Sequence, residues 1–305
     1  MTSDSNQHKA NLLITGASGM VGTALREHLQ ASYNIHALSR SDPAADFYYD
    51  QNQNRMHLDP EIRLQGVINL AGANISDKRW SAARKQEIVK SRTETTLALS
   101  EALARLDNKP EFLLSASAIG YYGETGTQPV DESASPANDF LGKLSQDWEK
   151  ACEPASESGV RCVQMRFGLV LSPAGGVLKN FILPFRLASV GQLGKGEHFM
   201  SWISIDDLLL IITALIRDTA FDGPINCVAP EAVTNADFMR LLAKTLHRPK
   251  LPAIPAPIVR LMFGEMADAT LLLSSRVESR RIKELGITLQ HPTLAGALED
   301  LLHSS

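Results

Sequence analysis

Three glycines at three-residue spacing, Gly16, Gly19 and Gly22, follow a short apolar run that ends in Thr15. A helical pattern begins directly after them. In a turn from strand to helix, the first glycine permits the tight turn and the second lets the backbone approach a pyrophosphate. The third lets the helix pack closely against the strand, and the helix N-terminus then faces the phosphates. The sequence therefore predicts a dinucleotide site made by Thr15, Gly16, Ala17, Ser18, Gly19, Met20, Val21 and Gly22.

The end of the second predicted strand, Ala37-Leu-Ser-Arg40, bears on the choice between NAD and NADP. An acid here would bind the ribose 2′-hydroxyl of NAD, but the chain has Arg40, whose guanidinium suits the 2′-phosphate of NADP, with Ser39 adding a hydroxyl. NADP (NADPH) is favoured and NAD is the lesser choice, kept open by the nearby Asp42. A surface role for Arg40 is the alternative. Asp50 fits either an adenine contact or a simple turn.

These residues require a scaffold of alternating strands and helices. Strand-like runs fall at 11–15, 34–38, 46–49, 67–70, 111–115 and 160–166, and helical patterns fall near 20–31, 80–106 and 138–157. Such alternation predicts an α/β, Rossmann-like, doubly wound parallel sheet with helices on both faces. Right-handed crossovers then place the ligand at the carboxyl ends of the strands.

The pattern changes after residue 170. Glycine and proline punctuate 172–196, a strand and helix fit 199–217, and another strand fits 224–228. The remainder is largely helical, with a proline-rich break at Pro249–Pro257. We expect a Rossmann-like domain over 1–172, continued by 203–229. A smaller, mainly helical C-terminal lobe over 173–202 and 230–305 is expected to cover the ligand edge.

The composition narrows the class of protein. The 305 residues are 44% hydrophobic and 21% charged, as in ordinary globular proteins, and a net charge of −4 gives no support for binding to nucleic acid or an anionic membrane. The longest apolar run, 208–216, is too short for a membrane span, which needs about 20 residues. The first ten residues are polar and predict a loose tail rather than a signal peptide.

The cysteines favour a reducing compartment, and the cysteines and histidines together predict no metal site. There are three cysteines, and Cys162 and Cys227 lie in apolar runs that predict buried free thiols. This pattern is typical of a cytoplasmic protein. The eight histidines are scattered, and no Cys/His spacing predicts a metal centre.

The small residues of Asn69-Leu-Ala-Gly-Ala73 would let the backbone approach the middle of the cofactor, and here the chain begins to resemble a known family. It looks like an extended, atypical short-chain dehydrogenase/reductase of the NAD(P)-dependent epimerase/dehydratase group. The segments that carry this resemblance are Thr15–Gly22, Asn69–Gly72, Ser115–Gly123, Met165–Leu171 and Trp202–Asp207. More narrowly, it resembles the YfcH-like epimerase branch through Lys78–Trp80, Ser91-Arg92, Ser201–Ile203, His247–Pro249, Phe263–Met266, Arg276-Val277 and His291–Thr293.

The resemblance implies a catalytic Ser, Tyr and Lys, with the Tyr four residues before the Lys. Ser117 and Lys143 match the first and last of these, but Asp139 stands where the tyrosine should be. Tyr121, or Tyr122 after it, is the alternative acid, and Asp139 is the alternative base. The competing interpretation is that Asp139, Lys143 and Asp147 form an ion-pair ladder on one helix face. Further expected cofactor contacts are Leu70, Ala71, Gly72, Ser115, Lys143 and Arg166.

The expected substrate is small. Nucleotide-sugar members of the family carry an Asn where this chain has Leu169, and a leucine cannot donate a hydrogen bond to a pyrophosphate. Arg79, Trp80 and Trp202 are weak candidates to line a pocket for an anionic group and an apolar face. Core or lid packing explains the two tryptophans equally well.

Together these features predict an NADP(H)-dependent oxidoreductase or epimerase-type enzyme that acts on a small, unidentified carbonyl or hydroxyl compound. The alternative is an NADP(H)-binding sensor or regulator without turnover, which the missing tyrosine supports. No nucleic-acid or membrane partner is expected. The oligomeric state is left open, with a homodimer as one option.

Overall fold

The computed structural model describes residues 9–176, 178, 179, 191–249 and 252–303, and the predicted N-terminal tail lies mostly outside them. Its centre is a six-stranded parallel sheet with strand order β2-β1-β5-β6-β7-β11. These strands are β1 (Ala10–Thr15), β2 (Tyr33–Ala37), β5 (Leu64–Asn69), β6 (Phe112–Ala118), β7 (Arg161–Phe167) and β11 (Gly223–Cys227). The predicted Rossmann-like, doubly wound parallel sheet is confirmed.

Short strands and helices complete the described fold. The short strands are β3 (Phe47–Asp50), β4 (Arg55–Leu58), β8 (Leu169–Leu171), β9 (Phe199–Met200), β10 (Trp202–Ser204) and β12 (Val233–Thr234). The helices are α1 (Met20–Leu29), α2 (Ala82–Arg105), α3 (Phe140–Lys150), α4 (Glu153–Glu157), α5 (Ile205–Arg217), α6 (Asn235–Thr245), α7 (Ala256–Phe263) and α8 (Leu294–His303). Among the residues described, no helix combines the length and apolarity that crossing a bilayer requires.

The two faces of the sheet bury separate hydrophobic cores because successive side chains of a strand point to opposite faces. In β1, Leu12 and Ile14 belong to the core beneath α1 and α5, whereas Leu13 belongs to the core beneath α2 and α4. All three side chains are fully buried. Helices therefore cover both faces and leave the strand ends as the open edge of the sheet.

Two local features differ from the sequence-based expectations. β3 and β4 form an antiparallel hairpin, and β4 is a strand that the sequence pattern did not predict. The predicted helix over 138–157 is broken into α3 and α4, because Pro154 has no N–H to donate within a continuous helix. The predicted free thiols are confirmed, since Cys152, Cys162 and Cys227 are all unpaired and buried.

The C-terminal segment packs into the core of the sheet. Leu294, Ala297, Leu298 and Leu301 of α8, together with Phe238 and Leu242 of α6, belong to the same hydrophobic cluster as Leu12 and Ile14. A smaller cluster joins Leu193 to Val259 of α7 and to Ala267. The division into two lobes stays a prediction, and 180–190 and 250–251 within it lie outside the described residues.

Candidate functional site

The glycine loop joins β1 to α1 at the carboxyl end of the sheet. Gly16 has φ +66°, and a Cβ there would lie 2.6 Å from the carbonyl oxygen of Leu70. A Cβ on Gly22 would overlap the carbonyl oxygen of Gly16, so helix and loop pack as closely as the spacing predicted. Gly19 differs from both, since a Cβ there would meet, among the described residues, a single atom within 4 Å, the Gly16 carbonyl oxygen at 3.3 Å.

The start of α1 fits the phosphates of a dinucleotide. Gly19 is the N-cap residue, no side chain caps the helix, and no acid lies in its first turn. The first N–H groups of a helix have no partner within it, and the helix dipole adds positive potential. Ser18 and Gly19 are exposed, while Met20 and Val21 are half-buried. The open cradle at Gly19 and the uncapped helix end therefore suit a diphosphate group.

A buried polar network lies beneath this loop. The Thr15 hydroxyl donates to Asn69 Oδ1 at 2.6 Å and accepts from the backbone N–H groups of Leu70 and Ala71. The Asn69 amide donates in turn to Thr96 Oγ1 and to Ser115 Oγ. The expected cofactor contacts Thr15 and Ser115 are 0% and 2% exposed. The Thr15 side chain therefore holds the backbone of Leu70 and Ala71, and Ser115 supports it through Asn69. A direct contact of either residue with the cofactor stays a prediction.

The end of β2 presents Arg40 to solvent. Within the described part of the chain, the Arg40 side chain has no hydrogen bond or ion pair, so it is available to an anion. Ser39 connects β2 to β3, its N–H donating to Phe47 and its carbonyl accepting from Tyr49. Its Oγ accepts from the N–H of Asp42 at 3.0 Å. The Asp50 carboxylate accepts from the N–H groups of the following turn, as the turn alternative expected.

Tyr121 and Tyr122 occupy a short 3-10 turn after β6 and have opposite environments. The Tyr122 hydroxyl donates to Asn226 Oδ1 at 2.7 Å and accepts from Arg166 at 2.8 Å. Burial raises the pKa of Tyr122 to about 12 despite the lowering effect of Arg166. The half-buried Tyr121 stacks on the Arg166 guanidinium at 3.6 Å, and its hydroxyl has no partner among the described residues. Tyr121 therefore has the accessible phenol of the pair.

Ser117 and Arg166 share the carboxylate of the half-buried Glu149. The Ser117 hydroxyl donates to Glu149 Oε1 at 2.7 Å, and Arg166 binds both oxygens of Glu149 at 2.7 and 2.8 Å. Burial opposes the charge on Arg166, but the pair with Glu149 outweighs it and raises the arginine pKa above its ordinary value. Ser117 is 2% exposed and Arg166 is 3% exposed. Glu149 therefore engages both the Ser117 hydroxyl and the Arg166 guanidinium, and the catalytic role of Ser117 and the cofactor contact of Arg166 stay predictions.

Asp139 is the N-cap of α3, and its carboxylate accepts from the Gly142 N–H at 2.7 Å. The same carboxylate lies against Gly123, where a Cβ would be 2.7 Å from Asp139 Oδ2. The ion-pair alternative is not seen, because within the described chain no ion pair joins Asp139, Lys143 and Asp147. Lys143 is exposed one turn into α3, near the 3-10 turn that carries Tyr121.

Arg79 and Trp80 lie where three segments meet near the start of α3. Trp80 contacts Phe140 edge-on at 5.2 Å, and Arg79 lies beside Gly264. Lys85 pairs with Glu265 at 2.8 Å and covers the Phe140 ring. Phe140 directly follows Asp139 at the start of α3, so Arg79 and Trp80 remain candidates for the site.

Trp202 is excluded from the wall of any pocket. Its side chain is 0% exposed and belongs to the core beneath α1 and α5. No residue pattern indicated which face of β10 is buried, and the burial of Trp202 agrees with the alternative of core packing. His291 is buried and bonds to Ser204 and Asp300. Its ring, Asp206 and Asp300 bring possible metal-ligand atoms within 4.8 Å of one another.

Sequence reasoning missed two charged residues near this edge. Glu149 organises Ser117 and Arg166, and its only signal was its position six residues past Lys143 on the same helix. Arg92, which lies on α2, packs against Gly72. Its one sequence signal was its place in Ser91-Arg92, a segment that carries the family resemblance. Two described surface clefts, of about 550 and 420 Å³, lie instead toward the amino ends of the strands, lined by residues such as Arg105 and Asn11. Neither cleft is lined by the candidate site residues described above.

Comparison with known proteins agrees with this geometry. Residues 12–227 match the NAD dependent epimerase/dehydratase family, and residues 254–301 match a domain of unknown function. An epimerase family protein of Mycobacterium bovis is 38% identical over 292 residues, covering 95% of this chain and 96% of that protein.

Two solved structures are also similar. The crystal structure of human epimerase family protein SDR39U1 (isoform 2) with NADPH has a TM-score of 0.88 at 30% identity, covering 97% of this chain and 100% of that one. A nucleoside-diphosphate sugar epimerase from Corynebacterium glutamicum has a TM-score of 0.76 at 30% identity, covering 96% of this chain and 58% of that one. The parallel sheet, the glycine loop and these matches show that the chain belongs to the NAD-dependent epimerase/dehydratase family.

Proposed function

We propose that the protein is an NADP(H)-dependent oxidoreductase or epimerase-type enzyme acting on a small carbonyl or hydroxyl compound. The observation that carries the proposal is the uncapped N-terminus of α1 behind the open cradle at Gly19, with the unpaired Arg40 at the end of β2. Arg40 would hold the 2′-phosphate, because a guanidinium forms charge-assisted hydrogen bonds to phosphate. The human relative crystallised with NADPH supports the same choice of cofactor.

When bound, the nicotinamide ring would supply a site that gives or takes a hydride. The chain itself must then provide the proton, and Tyr121 is the best-placed donor because its phenol has no partner among the described residues. Arg166, held by Glu149, fixes the Tyr121 ring from behind. Lys143 would lie near the reacting groups, and Arg79 and Trp80 would form the wall facing an anionic substrate.

The second candidate is a sensor that binds NADP(H) without turnover. It is favoured by the internal bonds of Ser117 and Asp139, because each side chain already has a partner within the protein. The two candidates differ in one testable respect. An enzyme must exchange hydride with a bound compound, whereas a sensor binds the cofactor and leaves it unchanged.

The test begins with native mass spectrometry of freshly purified protein, to identify any nucleotide or metabolite that co-purifies. Oxidation of NADPH would then be measured with small carbonyl compounds that carry a carboxylate or phosphate. Tyr121→Phe should slow the reaction by ~10²–10⁴ with little change in NADPH affinity. Tyr33→Phe, at the opposite end of the sheet, is the matched control and should have no effect. Tight NADPH binding without hydride exchange on any compound would favour the sensor.

A further inference from the structure

His291 is a buried histidine whose ring is oriented by two side chains at the start of α5. Its Nδ1 lies 3.0 Å from the Ser204 hydroxyl oxygen and 3.8 Å from Asp207 Oδ2. Asp207 is 0% exposed, and its carboxylate accepts from the backbone N–H groups of Gln290 and His291. Within the described chain, no lysine or arginine pairs with Asp207. This buried negative charge therefore favours the tautomer of His291 that carries its proton on Nδ1.

The other ring nitrogen of His291 faces carboxylates. With the proton on Nδ1, Nε2 presents a lone pair to Asp300 Oδ2, which lies 3.1 Å away. Two acceptors at this distance need a proton or a cation between them. Asp206, in the first turn of α5, brings a further carboxylate, and ligand atoms of the three residues lie within 4.8 Å of one another. Three potential ligand atoms therefore converge on one point.

The charges at this point favour a metal ion over a proton. The carboxylates of Asp206 and Asp300 repel each other at this separation, and the Asp206 side chain has no hydrogen bond or ion pair among the residues that the structure describes. A proton on Nε2 would serve Asp300 and leave Asp206 without a counter-charge. A divalent cation would attract both carboxylates and the Nε2 lone pair together. A histidine that donates from one ring nitrogen to a neighbouring oxygen and binds a metal through the other is the usual arrangement in metal sites.

We propose that Asp206, His291 and Asp300 bind a divalent transition-metal ion, for which Zn²⁺ is the best match. Zn²⁺ binds imidazole nitrogen and carboxylate oxygen at about 2.0–2.2 Å, which separates neighbouring ligand atoms by roughly 3.4 Å. The distance between His291 Nε2 and Asp300 Oδ2 is close to that value. Mg²⁺ and Ca²⁺ prefer oxygen ligands, so the imidazole disfavours them. The Asp300 side chain is exposed, which gives an ion a path into the site.

The ion would fasten the start of α5 to α8. The ligands come from α5, from the segment before α8 and from α8 itself, so no short sequence spacing could predict the group. Apolar residues of α8 already pack into the main core beside those of α5. None of the residues proposed for the reaction is among the three ligands. The expected effect of the metal is therefore on the stability of the fold.

Calorimetry with zinc chloride on EDTA-treated, dialysed protein tests the site directly. Asp206→Asn and Asp300→Asn should each weaken Zn²⁺ binding by more than about tenfold, since even the loss of a group that supports a metal ligand costs about 10- to 100-fold. Glu299→Gln, an exposed change beside Asp300 on α8, is the control and should bind Zn²⁺ as wild type does. His291→Gln should also lose binding. Because His291 is buried, circular dichroism must show that this variant folds, and the two aspartate variants carry the test if it does not.

Thermal melts give a second measurement. Zn²⁺ at about 100 times its Kd should raise the Tm of wild type and of Glu299→Gln by roughly 5 °C. It should raise the Tm of Asp300→Asn much less. Mg²⁺ at the same concentration should shift none of them.

Two results would overturn the proposal. If wild type bound no Zn²⁺, a proton would be holding His291 to Asp300. If Asp206→Asn and Asp300→Asn bound Zn²⁺ as tightly as wild type, the ion would be bound elsewhere on the protein.

Discussion

Ser117 donates a 2.7 Å hydrogen bond to Glu149, the carboxylate that also holds Arg166. Ser117 and Arg166 face each other in register on β6 and β7, and Glu149 reaches them from α3. One carboxylate thus joins a helix to two neighbouring strands beneath the candidate site. Tyr121 rests on the outer side of this assembly, against the Arg166 guanidinium.

Glu149→Gln should destabilise the protein by about 3 kcal/mol, because it leaves Arg166 buried without its counter-charge. Ser117→Ala removes a single hydrogen bond and should cost roughly 1 kcal/mol. Urea unfolding followed by circular dichroism measures both. Similar small losses in the two variants would contradict the central role given to Glu149.

Arg40→Ala should weaken NADPH by about 1.5–3 kcal/mol, the usual contribution of a charge-assisted hydrogen bond, and should change NADH little. Arg40 has no internal partner in the described structure, so its loss should leave stability unchanged. Calorimetry with both nucleotides checks this, and Arg26→Ala near the far end of α1 is the control. Equal affinities of the wild-type protein for NADPH and NADH would rule out a role for Arg40 in selectivity.

Gly19→Val and Gly22→Val should fail in different ways. A side chain on Gly19 would meet, among the described residues, only the Gly16 carbonyl oxygen at 3.3 Å, so Gly19→Val should abolish NADPH binding in a protein that remains folded. A side chain on Gly22 overlaps the backbone of Gly16 and should destabilise the fold itself. Thermal melts and calorimetry on both variants separate the effects. Normal NADPH affinity in Gly19→Val would show that the loop does not hold the diphosphate.

Lys143→Ala should reduce NADPH affinity or activity by about tenfold, as expected for a lost charged hydrogen bond. Asp139→Asn should do less, because asparagine is also a good N-cap. Asp139→Ala should cost about 1 kcal/mol of stability through the lost cap on α3. If Asp139→Asn abolished activity with NADPH affinity intact, Asp139 would be the base and this ranking would be wrong.

Tyr122 should make unfolding sensitive to alkaline pH. Its pKa is raised to about 12, so the folded protein keeps the phenol protonated while the unfolded chain ionises near 10. This contribution is present below pH 10 and is lost as the pH rises through 12. Between pH 9 and 11, the unfolding free energy of Tyr122→Phe should fall by about 1.4 kcal/mol less than that of wild type. If the unfolding free energies of wild type and Tyr122→Phe fell by the same amount over this pH range, Tyr122 would not titrate in this way.

Local pattern was enough to predict the glycine loop, because turn, close approach and helix start are all encoded between Gly16 and Gly22. Arg40 followed from the order of strand and loop. Ser117 could not be assigned its partner, because Glu149 is 32 residues away and meets it only when α3 docks on the sheet. The burial of Trp202 and Arg166 could not be predicted for a related reason, since the buried side of a strand depends on which helix covers it.

The place of α8 in the main core bears on how this chain has been able to evolve. Its apolar residues share one cluster with Leu12 and Ile14 of the first strand, although residues 12–227 and 254–301 match separate families. The segment that contains α8 could not be replaced by a segment from another protein, because the foreign helix would have to fill the same space in the core. The two matched regions should therefore have been inherited together, each constraining substitutions in the other.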